Sequence, residues 1–265
     1  MFVRLLAVTA FGCAIAPSAR AWDLGDPTFP EPQAGITQRV EFFYATTDRA
    51  LRIDLSPLGR GPAGSGPQAF APRAGYRSRF EEDQIVARYT YWAAPMVALQ
   101  FDLGLGGKTN KGDDVAFLGA SAKTLLSATG PFQLTGQVFG VVRPEVGFER
   151  SGVSQTLGPF IERQETQAYE AGGALLLSAR HDFAEALEGT LYTGIEASMY
   201  RDTGDGYAHF SDTNERIWFS GIAKEQSLWR TVVGSKLAVG DHCSLRTEAR
   251  IAEYTEFSVG LSWRW

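Results

Sequence analysis

The sequence predicts an all-β protein: a closed, antiparallel, up-and-down transmembrane barrel of about ten strands, within bounds of eight to twelve. Three observations predict it. The last eleven residues alternate without a fault, with Phe257, Val259, Leu261, Trp263 and Trp265 on one face and Glu256, Ser258, Gly260, Ser262 and Arg264 on the other. A period of two is the repeat of an extended strand. One face meets oil and the other meets water or polar neighbours. Similar stretches recur along the chain, and their connections are long and short by turns. No segment after the N-terminus has about 18 consecutive apolar residues, so no transmembrane helix is expected.

The strands can be justified in order. The first, about 36–46, sets Val40, Phe42 and Tyr44 against Arg39 and Glu41. The second, 79–92, sets Tyr89 and Tyr91 against Glu82 and Arg88. The third, 96–106, sets Val97, Leu99, Phe101 and Leu103 against Asp102. The fourth and fifth, 114–128 and 132–148, carry Lys123, Arg143 and Glu145 on the polar face. The sixth, 166–180, sets Leu175 and Leu177 against Glu170 and Arg180, and the seventh, 186–200, sets Leu191 and Ile195 against Glu188 and Glu196. The eighth, 226–239, opposes Val233, Leu237 and Val239 to Arg230 and Lys236. The ninth, 243–252, carries Arg246, Glu248 and Arg250, and the tenth, 255–265, carries Glu256 and Arg264. Most of these stretches can cross a tilted span of about 9–11 residues.

The long connections are 47–78, 107–113, 149–165 and 201–225; the short ones are 93–95, 129–131, 181–185 and 241–242. The ninth hairpin, at Glu253–Tyr254, is short on the long-loop side. Segment 47–78 is expected to be a mobile loop, since Pro57, Pro62, Pro67 and Pro72 make 56–75 a poor strand. Arg49, Leu51, Ile53 and Leu55 alternate and could prolong the first strand.

The N-terminus reads as an export signal. Arg4 precedes a mostly apolar stretch from Leu5 to Ala16, and Ala19-Arg20-Ala21 supplies a small-x-small cleavage site. Residues 1–21 are thus a signal peptide and 22–35 a Pro-rich lead-in to the barrel, 36–265. Ala10 and Phe11 ahead of Gly12-Cys13 fit a lipoprotein signal poorly. Without Arg4 and Arg20 the chain holds 23 bases against 30 acids, a net charge of −7. An acidic chain with no basic tract argues against nucleic acid. Cys243 is then the one remaining cysteine, so no intramolecular disulfide is expected.

The alternating strands, the terminal Trp265 and the export signal together resemble the Gram-negative outer-membrane β-barrel proteins. That resemblance implies location in the cell outer membrane, both termini in the periplasm, and long loops outside. It also implies lipid and lipopolysaccharide as surroundings and recognition of the last strand by the barrel assembly machinery. A monomer with no cofactor and no metal is expected. A soluble lipocalin-like calyx is the rival fold, with its apolar face turned inward.

The polar faces collect ten bases and nine acids: Arg39, Glu41, Glu82, Arg88, Asp102, Lys123, Arg143, Glu145, Glu170, Arg180, Glu188, Glu196, Arg230, Lys236, Arg246, Glu248, Arg250, Glu256 and Arg264. On the lipid face a base at mid-membrane costs about 2–4 kcal/mol, so these charges belong inside. Near balance predicts a filled, charge-paired lumen rather than an ion-selective pore, which would favour one sign. A narrow passive channel is the alternative. Glycines at 104, 119, 136, 140, 172, 189, 194, 234 and 260 are expected to make room for long neighbours across the lumen.

No phosphate-binding loop, zinc-type cysteine pair, Gly-x-Ser-x-Gly elbow or His-Glu-x-x-His is present. The polar loops at 107–114 and 201–212 hold Asp113, Asp114, His209 and Asp212. In a ten-strand barrel they rise from opposite walls, where carboxylates facing a His/Asp couple could activate a water. This resembles the omptins, ten-stranded outer-membrane proteases. The omptin acids are separated by one residue, whereas Asp113 and Asp114 are adjacent. Trp92, Trp218, Trp229, Trp263 and Trp265, with Tyr89, Tyr91, Tyr192, Tyr200 and Tyr254, are expected to form interface girdles. Tyr207, Phe210, Trp218 and Phe219 offer an alternative sugar platform. The leading expectation is a surface scaffold that meets its partners through the outer loops, with an omptin-like peptidase second and a channel third.

Overall fold

The computed structural model describes residues 38–55, 59–62, 74–107, 115–154, 158–225, 228–252 and 255–264. The signal and lead-in segments, Asp113, Asp114, Tyr254, Trp265 and most of 56–73 fall outside these residues.

Twelve strands follow in chain order: β1 (Gln38–Leu55), β2 (Gly59–Pro62), β3 (Ala74–Ala94), β4 (Val97–Gly107), β5 (Val115–Thr129), β6 (Phe132–Ser154), β7 (Gly158–Ala184), β8 (Leu187–Phe210), β9 (Glu215–Glu225), β10 (Trp229–Val239), β11 (Cys243–Ile251) and β12 (Thr255–Arg264). Ten of them close an antiparallel ring, in the order β1, β3, β4, β5, β6, β7, β8, β10, β11, β12 and back to β1. The seam runs from Arg39↔Arg264 to Thr47↔Glu256. The expected ten-stranded up-and-down barrel is therefore present, and every strand of the ring overlaps a stretch read from alternation.

The sidedness is that of a membrane barrel. Phe42, Leu103, Leu191 and Leu261 are 59–69% exposed on the outer face, while their neighbours Glu41, Asp102 and Arg246 are buried inside. Lipid accepts such a wall only if no strand edge is left open, which the ring satisfies.

The walls are taller than the sequence suggested. β1 runs on to Leu55, β6 and β7 form a hairpin through most of 149–165, and β8 continues to Phe210. β9 returns from there, pairing with β8 on one side and with the upper end of β1 and with β2 on the other. The segments 47–78, 149–165 and 201–225, read as loops, are thus in good part strand. β9 and β10 both run antiparallel to β8, at successive heights, β9 down to Glu225 and β10 from Trp229.

The reason for the misreading is a change of polarity on the outer face. Within the band, apolar residues point out and charges point in. Above it Leu51, Ala208, Phe210, Ile217, Phe219 and Ala223 turn inward beside the buried Glu162, Gln164, Asp202 and Glu225, while Glu149, Arg163, Glu165 and Asp205 are outside. The outer face of the upper wall is therefore largely polar, as on a sheet that meets water, and its inner face is mixed.

The assignments of one charge and three aromatics are corrected. Pro144 cannot donate a ladder hydrogen bond, and the β6–β7 register slips between Arg143 and Val146. The extra residue reverses the phase, so Glu145 is exposed instead of facing the lumen. Trp92, Tyr192 and Tyr200, expected in the girdles, are buried inward, with the Arg39 guanidinium 5.4 Å from the Trp92 ring.

Candidate functional site

The lumen was the first candidate. Among the described residues, eight bases and ten acids are buried, and their side chains interlock. Arg88 grips Asp102 on the neighbouring strand with Nε–Oδ1 2.9 Å and Nη2–Oδ2 2.7 Å. Arg143 donates to Glu82 at 3.0 Å, joining β6 to β3 across the top of the shorter β4–β5 hairpin.

A longer chain of charges lines the other wall. Arg246 donates to Glu41 at 2.6 Å and approaches Glu248 at 3.4 Å. Glu248 also meets Arg250 at 3.0 Å and accepts from the Tyr192 hydroxyl at 3.0 Å. Arg250 reaches Glu256 at 3.4 Å and Glu196 at 3.5 Å. Arg230 then ties Glu196 (2.8 Å), Glu170 (3.3 Å) and both oxygens of Glu225 (2.6 and 2.7 Å). Every charge here is compensated by an opposite charge at hydrogen-bond range, the condition for burying it. Lys123 and Lys236 are buried on the same inner face. Arg180 and Arg264 are half-buried near the end of the barrel that holds the short turns; Arg180 pairs with Glu188 at 3.1 Å.

An apolar cluster adjoins this network. Phe43, Ala45, Val86, Phe117, Phe139, Val141, Ala174, Leu176, Tyr192 and Val232 pack together. They come from β1, β3, β5, β6, β7, β8 and β10, so the cluster reaches from one wall to the opposite one. Glycines make the crossing possible. The Phe117 ring occupies the place where Gly104 would carry a Cβ, and Tyr192 does the same at Gly234. Phe43 is held between the Arg88 and Arg246 guanidinium groups, 5.0 and 6.0 Å from its ring. Gln100, Ser121 and Gln137 form a second polar knot nearer the short turns, with contacts of 2.8–3.1 Å.

The second candidate lies outside, on the upper wall. A groove of about 670 Å³ is lined by Glu149, Arg163, Glu165, Asp205, Tyr207 and Trp218 from the outer phase, by Gly147 and Gly206, and by the buried Gln164 and Phe219 beneath them. Antiparallel pairing places its residues in rows. One row is Glu149↔Arg163↔Tyr207↔Trp218; the next is Gly147↔Glu165↔Asp205↔Ser220. Arg163 Nε donates to Glu149 at 2.7 Å. That bond, and then one with Tyr207, raises the Arg163 pKa above its ordinary value. Arg216 lies 4.7 Å over the Tyr207 ring.

Of the residues read as a peptidase site, only half can be placed. His209 is half-buried on the outer phase of β8, in register with Ile161 and Arg216, and its Nδ1 has no hydrogen-bond partner among the described residues. Asp212 is exposed in the β8–β9 turn, beside Gly158. Of the four proposed platform aromatics, Tyr207, Trp218 and Phe219 line the groove, Phe219 from the buried phase of β9, whereas Phe210 is buried within the wall. Glu162, Asp202 and Glu225 were missed as inward charges because they lie in segments read as loops.

No protein-family description matches the chain, and no curated protein matches it. Solved structures do. The outer-membrane protease OmpT of Escherichia coli is 8% identical, with a TM-score of 0.44 over 92% of this chain and 100% of that one. The translocator domain of the autotransporter NalP from Neisseria meningitidis is 11% identical, with a TM-score of 0.42 over 99% and 95%. An outer-membrane channel from Pseudomonas putida F1 is 10% identical, with a TM-score of 0.32 over 92% and 100%. The chain is thus similar to outer-membrane β-barrels of different named activities, a likeness of fold.

Proposed function

We propose that this protein is an integral outer-membrane barrel with a sealed lumen, serving as a surface scaffold that meets its partners through the wall and loops above the membrane. The observation that carries the reading is the lumen itself. A guanidinium 1–2% exposed, as at Arg88 and Arg39, is out of reach of a water-sized sphere. Among the described residues, the charge network and the apolar cluster set ion pairs and the rings of Phe43, Phe117 and Phe139 in the way of a hydrated ion. An ion-conducting pore instead keeps its polar rings wet.

Residues 1–21 serve as the export signal in this reading, and mass spectrometry of the membrane-extracted chain should place its first residue at Trp22. In the same reading β12, Thr255–Arg264, is the recognition element for barrel assembly. The decisive experiment is reconstitution in a planar bilayer. A sealed scaffold gives no stable conductance steps above the lipid baseline. Reproducible ohmic steps would overturn the reading in favour of a narrow channel.

A further inference from the structure

We infer that the groove on the outer face of β6–β9 binds the neutral hexose chain of a glycolipid in the same outer leaflet. The inference rests on the scaffold reading above and names a partner for it.

Tyr207 and Trp218 are cross-strand neighbours, half-buried and turned outward; Arg216 lies 4.7 Å over the Tyr207 ring, so Trp218 supplies the stacking face and Tyr207 flanks it. The negative faces of such rings favour the slightly positive C–H edges of a sugar ring. Around them stand groups that suit hydroxyls: carboxylates at Glu149, Glu165 and Asp205 accept, and Arg163 donates. The volume of about 670 Å³ lies within the usual range for small-molecule sites.

The charge selects a neutral ligand. Arg163 is already paired with Glu149, and Glu165 stands directly opposite Asp205. A phosphate or uronate would meet that acidic row and be repelled. Two like charges facing each other across a ladder cost stability, and hydroxyl donors from a sugar would relieve the cost.

The position selects the source. On β7 the outward apolar run of Leu177, Leu175 and Tyr169 ends, and Gln167, Glu165 and Arg163 continue the same face. Arg163 is six residues beyond Tyr169, about 20 Å along the strand. At a tilt near 40° that is about 15 Å above the acyl boundary. Sugars attached to a neighbouring lipid run past this height on this face.

The test is calorimetric titration of the full barrel in detergent with three probes: lipopolysaccharide bearing a neutral-hexose chain, the same lipopolysaccharide with the chain removed, and free dextran. The chain-bearing form should bind at least about tenfold more tightly than the truncated form. Tyr207→Ala and Trp218→Ala should each lose that advantage, with Trp229→Ala in the lipid band unchanged. The heat-modified gel shift of a closed barrel checks that each variant is folded. Equal binding of the two lipopolysaccharides, or full binding by folded Trp218→Ala, overturns the site. Dextran binding as tightly as the chain-bearing form overturns the same-leaflet source. Bilayer conductance is read separately, so a silent barrel that binds no glycan loses this inference and keeps the scaffold.

Discussion

Arg230→Met should be among the most damaging single changes available in this chain. The side chain is 1% exposed and holds Glu225 at 2.6 Å, Glu196 at 2.8 Å and Glu170 at 3.3 Å, each of them fully buried. Met fills similar space, so the loss is electrostatic rather than a cavity. Removing one partner of a buried pair costs about 3–5 kcal/mol. Glu196 keeps Arg250 at 3.5 Å, which moderates the loss there. Glu225 loses two short bonds. A stability loss of at least about 3 kcal/mol is expected, a midpoint shift of about 1 M or more in urea for a slope of 1–3 kcal/mol/M. The assay is urea unfolding in detergent followed by tryptophan fluorescence. Adding Glu225→Gln to Arg230→Met should recover part of the loss, as coupled neighbours do. A loss under about 1 kcal/mol, the size found for exposed pairs, would mean that water reaches the network. The sealed lumen would fall with it.

Gly104→Ala places a methyl group in the Phe117 ring; the overpacking should cost about 1–3 kcal/mol in the same assay, and Phe117→Leu should relieve it. Phe43→Ala empties the centre of the apolar cluster and should cost about 3–5 kcal/mol. Leu103→Lys, on the lipid face at 59% exposure, should cost about 2–4 kcal/mol in bilayer refolding. Val153→Lys, 76% exposed on the upper wall, should stay within about 0.5 kcal/mol.

Alternation made the membrane-spanning part legible. Phe42, Phe101, Leu191 and Val233 were read as lipid-facing from their phase, and Glu41, Asp102, Glu196 and Arg230 as lumen-facing, and burial agrees. The upper wall escaped because Glu165, Asp205 and Thr203 outside look like loop residues when the outer face is assumed apolar. Glu145 was misplaced because one residue of register slip at Pro144 reverses every side chain beyond it. The groove was half-visible. Tyr207 and Trp218 were named for their chemistry, but Glu149, Arg163, Glu165 and Asp205 come from three separate strands, and only pairing brings them into rows.

The seam between β1 and β12 governs when the chain can become itself. Arg39 pairs with Arg264, and Glu41 bonds Arg246 at 205 residues' separation. Few contacts in a protein of this size span so much sequence, and such contacts make acquisition of structure slow. Until Thr255–Arg264 arrives, β1 and β11 each present a row of unmet amide and carbonyl groups that hydrocarbon cannot satisfy. A chain ending before Thr255 would therefore have no gradual intermediate to rest in. It would wait outside the bilayer, held by chaperones or cut by proteases, and its steady-state level in the envelope would fall even though most of its strands are intact.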